Sequence, residues 1–253
     1  MSVIIGHASI SENKSKNGAK GDQTGKEVCT RNWYRYEGGW TCLIRFRDPE
    51  MADAVAFFVE GACANNHIGY SQATRNTLLN EVRKVNFDVR KLSVDCNTDC
   101  SALVTVACIY AGIPESTLTL RGNCATTSTL QALLKSTGEV DIYTTPQYTS
   151  SPDRLKRGDI LLKKGHHVVV VLKTEGNPYR LMSNLLRQGS KGESVKFLQY
   201  ELNRHGANLV VDGSYGSKTK LAVLLFQKDH DLRQDGIAGS QTLGKIRELA
   251  NVK

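Results

Sequence analysis

The residues best suited to chemistry in this chain are one cysteine and a pair of adjacent histidines. Cys100 follows Asp99 and opens a run in which Leu103, Val104, Ala107, Cys108 and Ala111 recur at helical spacing. Asp99 is a good N-cap, because its carboxylate can accept from the orphan amides of a first helical turn. Gly112 and Pro114 supply the stop. The spacing predicts a buried helix with Cys100 in its first turn, where the positive end of the helix dipole favours thiolate over thiol. Such a nucleophile needs a base to take its proton. His166 and His167 stand at the head of the apolar run Val168 to Leu172, which reads as a strand. Alternation along that strand puts the two imidazoles on opposite faces, so one of them can serve.

Other elements must bring these groups together. Val3-Ile4-Ile5 begins a short strand that leads into Gly6-His7-Ala8-Ser9-Ile10, and residues 11–26, polar and rich in Gly and Lys, read as a surface loop. Trp40 to Phe46 alternates enough for a second strand. Asp48-Pro49 gives an N-cap followed by proline at the first helical position, and Met51, Ala52, Val55, Phe58, Val59 and Ala62 continue that helix. Ile68-Gly69-Tyr70 reads as a turn and Ser71 as the cap of a helix through Leu78, Leu79 and Val82. A short helix near 127–135 ends before Gly138. Arg157-Gly158-Asp159 then turns into a strand at Ile160-Leu161-Leu162. Helices come first and paired strands later, which predicts an α+β domain with an antiparallel sheet rather than alternating βαβ units.

Composition shifts between 174 and 190. Beyond it a helix with Val195, Leu198 and Leu202 on one face ends at Gly206, and two similar phrases follow, Asp212-Gly213-Ser214-Tyr215-Gly216-Ser217-Lys218-Thr219 and Asp235-Gly236-Ile237-Ala238-Gly239-Ser240-Gln241-Thr242. Each reads as a tight turn whose Ser or Thr caps the helix after it. The repeat predicts a small all-α module of three helices. The expected organisation is a domain over 1–175, a linker over 176–188 and the helical module over 189–253.

Size and charge narrow the function classes. At 253 residues with 40% hydrophobic content the chain can bury a sizeable core. A net charge of +8 suits an anionic partner, whether nucleic acid, a membrane surface or an anionic cell-wall polymer. Aromatic and basic residues do not alternate along any stripe, so nucleic acid is not indicated. The seven cysteines are odd in number and lack paired CxxC spacing, which argues against a disulfide framework or a zinc site. No metal or other cofactor is suggested. Cys63 and Cys108 sit on apolar helical faces and read as plain buried thiols, and free thiols fit synthesis in a reducing cytosol. The start, MSVIIGHASI, lacks the basic region and apolar length of a signal peptide, and no stretch is long enough to insert in a membrane. A soluble monomer made in the cytoplasm and released to its target is the expectation.

Residues 187–247 resemble the three-helix peptidoglycan-binding domain of bacterial and phage wall hydrolases. The likeness is carried by Gly189, Gly192, Val195, Leu198-Gln199, Leu202, Gly206, Asp212-Gly213, Gly216, Thr219, Ala222-Val223, Phe226-Gln227, Leu232, Asp235-Gly236, Gly239 and Thr242. Residues 1–173 resemble the NlpC-type branch of papain-like peptidoglycan hydrolases, in the version common in phage endolysins. Here the carrying phrases are His7-Ala8-Ser9-Ile10, Gly21 through Cys29, Ile68-Gly69-Tyr70, Asp99-Cys100-Ser101, Arg157 through Leu161 and Gly165-His166-His167-Val168. In that family a third polar residue follows the histidine strand. Nothing comparable follows Leu172, whereas Ile5-Gly6-His7-Ala8-Ser9 stands near the start, so the resemblance implies a circularly permuted papain-like sheet.

The resemblance implies an endolysin that cuts amide bonds in the peptide part of peptidoglycan. Its roles fall on Cys100 as nucleophile, His167 as base in the family's register with Leu172, and His7 as the group that orients the imidazole. His166 is the alternative base. Cys29, in a phrase with Trp33-Tyr34 that resembles the nucleophile motif of CHAP amidases, is the rival nucleophile. The Cys100 amide and a donor from Tyr34, Tyr36 or Tyr70 would form the oxyanion hole. His67, His205 and His230 read as surface residues. Two other functions stay open: an N-acetylmuramoyl-L-alanine amidase with the same nucleophile, and a non-catalytic wall-binding protein.

Overall fold

A computed structural model describes residues 3–174, 179 and 181–251. The chain divides into two compact units between residues 174 and 175. The first part of the linker expected over 176–188 lies outside the described residues, apart from 179.

The larger unit is mixed α and β. It opens with β1 (Val3–Ala8), β2 (Val28–Asn32) and β3 (Cys42–Phe46), followed by α1 (Pro49–Cys63), β4 (Ile68–Tyr70) and α2 (Thr77–Lys84). After a 3-10 turn at Val89–Lys91 come β5 (Cys96–Thr98), α3 (Cys100–Tyr110), α4 (Glu115–Leu118), β6 (Thr119–Leu120) and β7 (Asn123–Cys124). The unit closes with α5 (Leu130–Ser136), β8 (Val140–Tyr143), α6 (Pro146–Thr149), β9 (Ile160–Lys163) and β10 (His167–Thr174). Six strands form one sheet in the order β2-β1-β10-β9-β3-β8, antiparallel at every pairing. The first strand of the chain is thus hydrogen-bonded to the last strand of the unit.

Side-chain alternation gives the sheet two apolar faces. Val168, Val170 and Leu172 of β10 join Cys42, Ile44, Ile160 and Leu162 in a core shared with α1 and α3. Val169 and Val171 join Val3, Ile5, Leu43, Leu161 and Trp40 on the opposite face. A strand covered on both sides has no polar face to show, and Val168 to Leu172 is accordingly an unbroken apolar run. Helix α1 starts as its sequence dictates: Asp48 accepts from the Glu50 amide at 2.8 Å, with Pro49 at the first position. Helix α3 is buried from Cys100 through Cys108, so it shows no amphipathic stripe.

Several local readings change. Ile68–Tyr70 is a strand, paired in parallel with Cys96–Thr98, not a turn. The loop backbone crosses it so closely that a Cβ on Gly69 would meet the Gly21 carbonyl oxygen at 2.2 Å, which is why glycine stands there. Ser71 does not cap α2; its amide donates to the Thr98 carbonyl, and the helix begins six residues later, after Asn76. The polar loop over 11–26 is well tied. Asp22 accepts from the amides of Thr24, Gly25 and Glu27, and the fully buried Glu27 carboxylate accepts from those of Tyr70 and Gln23.

In the smaller unit α7 (Glu193–Arg204), α8 (Ser217–Asp229) and α9 (Ser240–Asn251) enclose a core that includes Leu186, Val195, Leu198, Leu202, Val223, Phe226 and Ile246. The sequence repeat is a repeated hydrogen-bond device. The Gln199 amide group donates to Asp212, Ser214 and Thr219 and accepts from the Gly213 amide. Gln227 does the same with Asp235, Ile237, Thr242 and Gly236. The Thr hydroxyls therefore meet a glutamine of the preceding helix rather than capping their own, and α8 starts after Gly216 with no side-chain cap. Leu186, within the stretch read as linker, is buried here and exchanges backbone hydrogen bonds with Ala238.

Candidate active site

Helix α3 places Cys100. Asp99 caps it by accepting from the Ala102 amide at 2.7 Å and the Ser101 hydroxyl at 3.0 Å. A residue that sequence reasoning missed holds that cap: Arg75 Nε lies 3.0 Å from Asp99 Oδ2, and its Nη2 donates to Ser101 Oγ and to the Cys124 and Ala125 carbonyls. Arg75 sits in a turn before α2 with no local pattern around it, so nothing in its neighbourhood marks it. The Cys100 sulfur receives the Val168 backbone amide, one residue beyond His167.

Strands β1 and β10 place the imidazoles. The register pairs Gly6 with Val170, so His7 comes next along β1 and shares a face with His167. His7 Nδ1 and His167 Nε2 are 3.1 Å apart, with the rings edge to face at 5.3 Å. His7 is 3% exposed. His166, in contrast, is solvent-exposed in the turn before β10, with its amide bonded to the Lys163 carbonyl. Cys29 lies mid-strand on β2, directly opposite His7.

Protonation differs from the dipole argument. Burial, with the Asp99 charge adding to it, pushes the Cys100 thiol up to about 12 and outweighs the helix terminus. Burial also lowers His167 to about 4, and lowers His7 to about 3 with the His167 and Arg31 charges assisting. At neutral pH the thiol and both rings are therefore uncharged. Two neutral imidazoles joined through these nitrogens need one to donate and one to accept. If His167 Nε2–H donates to His7, the Nδ1 of His167 keeps its lone pair.

Aromatic rings wall the His167 side. Tyr36 lies 6.2 Å and Trp40 6.3 Å from its ring, and Tyr34 is 5.6 Å from Trp40. Tyr34 and Tyr70 both sense the charge state of Cys100, and burial raises both phenols, Tyr70 to about 12. Asp159 of the Arg157-Gly158-Asp159 phrase is structural. It is buried and takes both Nε (2.7 Å) and Nη2 (2.6 Å) of Arg45, fixing the turn into β9. His67 pairs with Asp95 at 2.7 Å, while His205 meets Phe226 edge to face and His230 packs against it at a tilt.

Residues 5–178 match the family model described as an endolysin-like domain, and residues 191–246 match one described as a putative peptidoglycan binding domain. A zinc D-Ala-D-Ala carboxypeptidase of Streptomyces albus G is 44% identical over 70 residues, which are 26% of this chain and 28% of that protein. The Burkholderia AP3 phage endolysin is 43% identical over 26% of this chain and 25% of its own, with a TM-score of 0.25. The N-terminal domain of SleB is 34% identical over 27% of this chain and 97% of its own, with a TM-score of 0.27. The chain thus spans well under a third of the length of the carboxypeptidase. The residues present do not fit that relative's zinc: among the described residues no three His, Cys, Asp or Glu side chains cluster as a metal site would require. No described helix is long and apolar enough to cross a membrane. The family match covers more than half of the sequence, and the chain belongs to the endolysin-like domain family, with a peptidoglycan-binding domain joined to it.

Proposed function

We propose that this protein is a peptidoglycan hydrolase that cuts amide bonds of the wall peptide through Cys100, with His167 as general base and acid and His7 orienting His167. The observation that carries the reading is the 3.1 Å contact between His7 Nδ1 and His167 Nε2, made across the sheet from opposite ends of the unit. With His167 Nε2–H as the donor in that contact, the Nδ1 of His167 keeps the lone pair that the proposed step needs for the thiol proton. Since thiol and imidazole are both neutral at rest, the proton passes from Sγ to Nδ1 as sulfur attacks the amide carbon. The resulting imidazolium gives the proton to the leaving amine, and water, deprotonated by the same ring, hydrolyses the thioester. The Cys100 backbone N–H, at the start of α3, and a hydroxyl of Tyr34 or Tyr70 are the donors for the oxyanion.

Papain-like architecture of the NlpC type, circularly permuted, is part of the proposal. Its support is the pairing of β1 with β10, which delivers His7 from the N-terminal side to the place a following strand would otherwise fill. The smaller unit acts as a wall anchor that raises the local concentration of substrate, and the +8 charge favours dwelling on an anionic wall.

Mass spectrometry of peptidoglycan digested with wild type and with Cys100→Ala tests the reading. New free amines on stem-peptide residues, absent with the variant, establish a cysteine endopeptidase. Release of whole stems from muramic acid makes the enzyme an amidase with the same nucleophile. Undiminished digestion by Cys100→Ala removes Cys100 from the mechanism and directs attention to Cys29. No digestion by either protein, with wall binding retained, leaves a binding protein.

A further inference from the structure

The sheet face that carries the two histidines also carries a cation with an unusual setting. Arg31 of β2 pairs with Ile5, so it lies on the face shared with His7, one strand further out. It is exposed, and its guanidinium carbon sits 4.4 Å from the centroid of the Tyr34 ring. Stacking engages the flat face of a guanidinium and leaves its edge N–H donors free. Among the described residues no carboxylate pairs with it. Its charge nonetheless reaches both imidazoles, since it contributes to lowering His7 and His167. The second cation nearby is already committed: Lys163, opposite His167 in the register, donates to the Gly39 carbonyl at 2.9 Å. Between Arg31 and His167 the half-buried rings of Tyr34 and Tyr36 lie 6.3 Å apart, and both pack on the buried Trp40, at 5.6 and 5.2 Å.

A fork of free donors at the outer end of an aromatic shelf, with the proposed catalytic pair at the inner end, is a built receptor for a planar anion attached to an apolar chain. We propose that Arg31 and the rings of Tyr34 and Tyr36, backed by the buried Trp40, bind a free carboxylate of the stem peptide beside the scissile amide. The hydrolase therefore discriminates against stems in which that carboxylate is amidated. The inference rests on the Cys100–His167 reading for the position of the scissile bond, and it adds the substrate's charge state.

The two tryptophans of the chain, Trp33 and Trp40, belong to the same apolar cluster as Tyr34 and Tyr36, so intrinsic fluorescence reports occupancy of the site. The test titrates full-length Cys100→Ser protein with soluble stem-peptide fragments whose carboxylates are either free or amidated. One charge-assisted bidentate contact predicts about tenfold tighter binding of the free-carboxylate fragment. Arg31→Gln abolishes that preference, and Arg31→Lys keeps part of it, because an ammonium supplies charge without the fork. Equal binding of the two fragments to the Arg31 protein, or a preference that survives Arg31→Gln, overturns the proposal. Digestion of whole walls by Cys100→Ala is run separately: undiminished activity there refutes the cysteine mechanism, while the fluorescence preference still decides the subsite.

Discussion

His7 and His167 stand 160 positions apart in the chain and meet ring to ring at 3.1 Å, on neighbouring antiparallel strands. One contact thereby ties down the imidazole proposed as base, and with His167 Nε2–H as its donor the Nδ1 of His167 keeps the lone pair. His7→Ala should lower kcat by about 100-fold or more, the usual scale for losing an oriented acid–base group. His7→Asn should recover part of it, since the amide oxygen can accept from His167 Nε2–H. Circular dichroism and the melting temperature should stay near wild type for the asparagine variant.

Neutral resting groups give the pH dependence a definite sign. His7 and His167 have folded pKa values of about 3 and about 4, below the 6.5 of an unfolded chain. Between these limits the unfolded state binds more protons. Stability from keeping both rings neutral is therefore complete above pH 6.5 and is lost as pH falls toward 4. The melting temperature should drop over that window, and less so in His7→Asn. Activity limited by His167 as base should keep its acid limb below pH 5.

Cys100 should behave as a thiol. Peptide-resolved alkylation by iodoacetamide should rise continuously from pH 7 to pH 10, since burial holds the thiol up at about 12. A rate that is flat from pH 5 upward would instead reveal a preformed thiolate–imidazolium pair and contradict the neutral resting state.

Arg75 and Asp99 form a shielded ion pair under the first turn of α3. Arg75→Met leaves a buried carboxylate beside Cys100 and should cost about 3 kcal/mol, read from urea midpoints. Asp99→Asn keeps an N-cap of similar quality. The double variant should be more stable than Arg75→Met alone, because it removes the uncompensated charge.

Gln227→Leu should destabilise the smaller unit by about 2 kcal/mol, since the Gly236 amide loses its acceptor inside a buried turn. Calorimetry should show a lowered transition for that unit, with the transition of the larger one in place.

Much of this was legible where local chemistry is decisive. Asp48-Pro49 and Asp99 mark their helix starts because capping needs only near neighbours in sequence. The strand at His167 announces itself because burial on both faces leaves it wholly apolar. Illegible features depend on distant partners. β2 (Val28–Asn32) has no clean alternation, being an edge strand exposed over Arg31 and Asn32. Ile68–Tyr70 is only three residues long and is a strand solely because Cys96–Thr98 lies alongside. The thiol's protonation went the other way because desolvation, a property of the assembled core, exceeded the dipole of its own helix. Arg75 and Arg31 gave no signal, since each acquires meaning from a group folded next to it.

The pairing of β1 with β10 also sets a timetable for synthesis. His7 is translated long before its partner strand, which closes the unit. Until His167 has left the ribosome the His7–His167 contact cannot form, and closing so long a loop comes late and at an entropic cost. Under the proposed mechanism the nascent chain is inert throughout its own production. The order of the strands is in this way also a clock for the assembly of the proposed site.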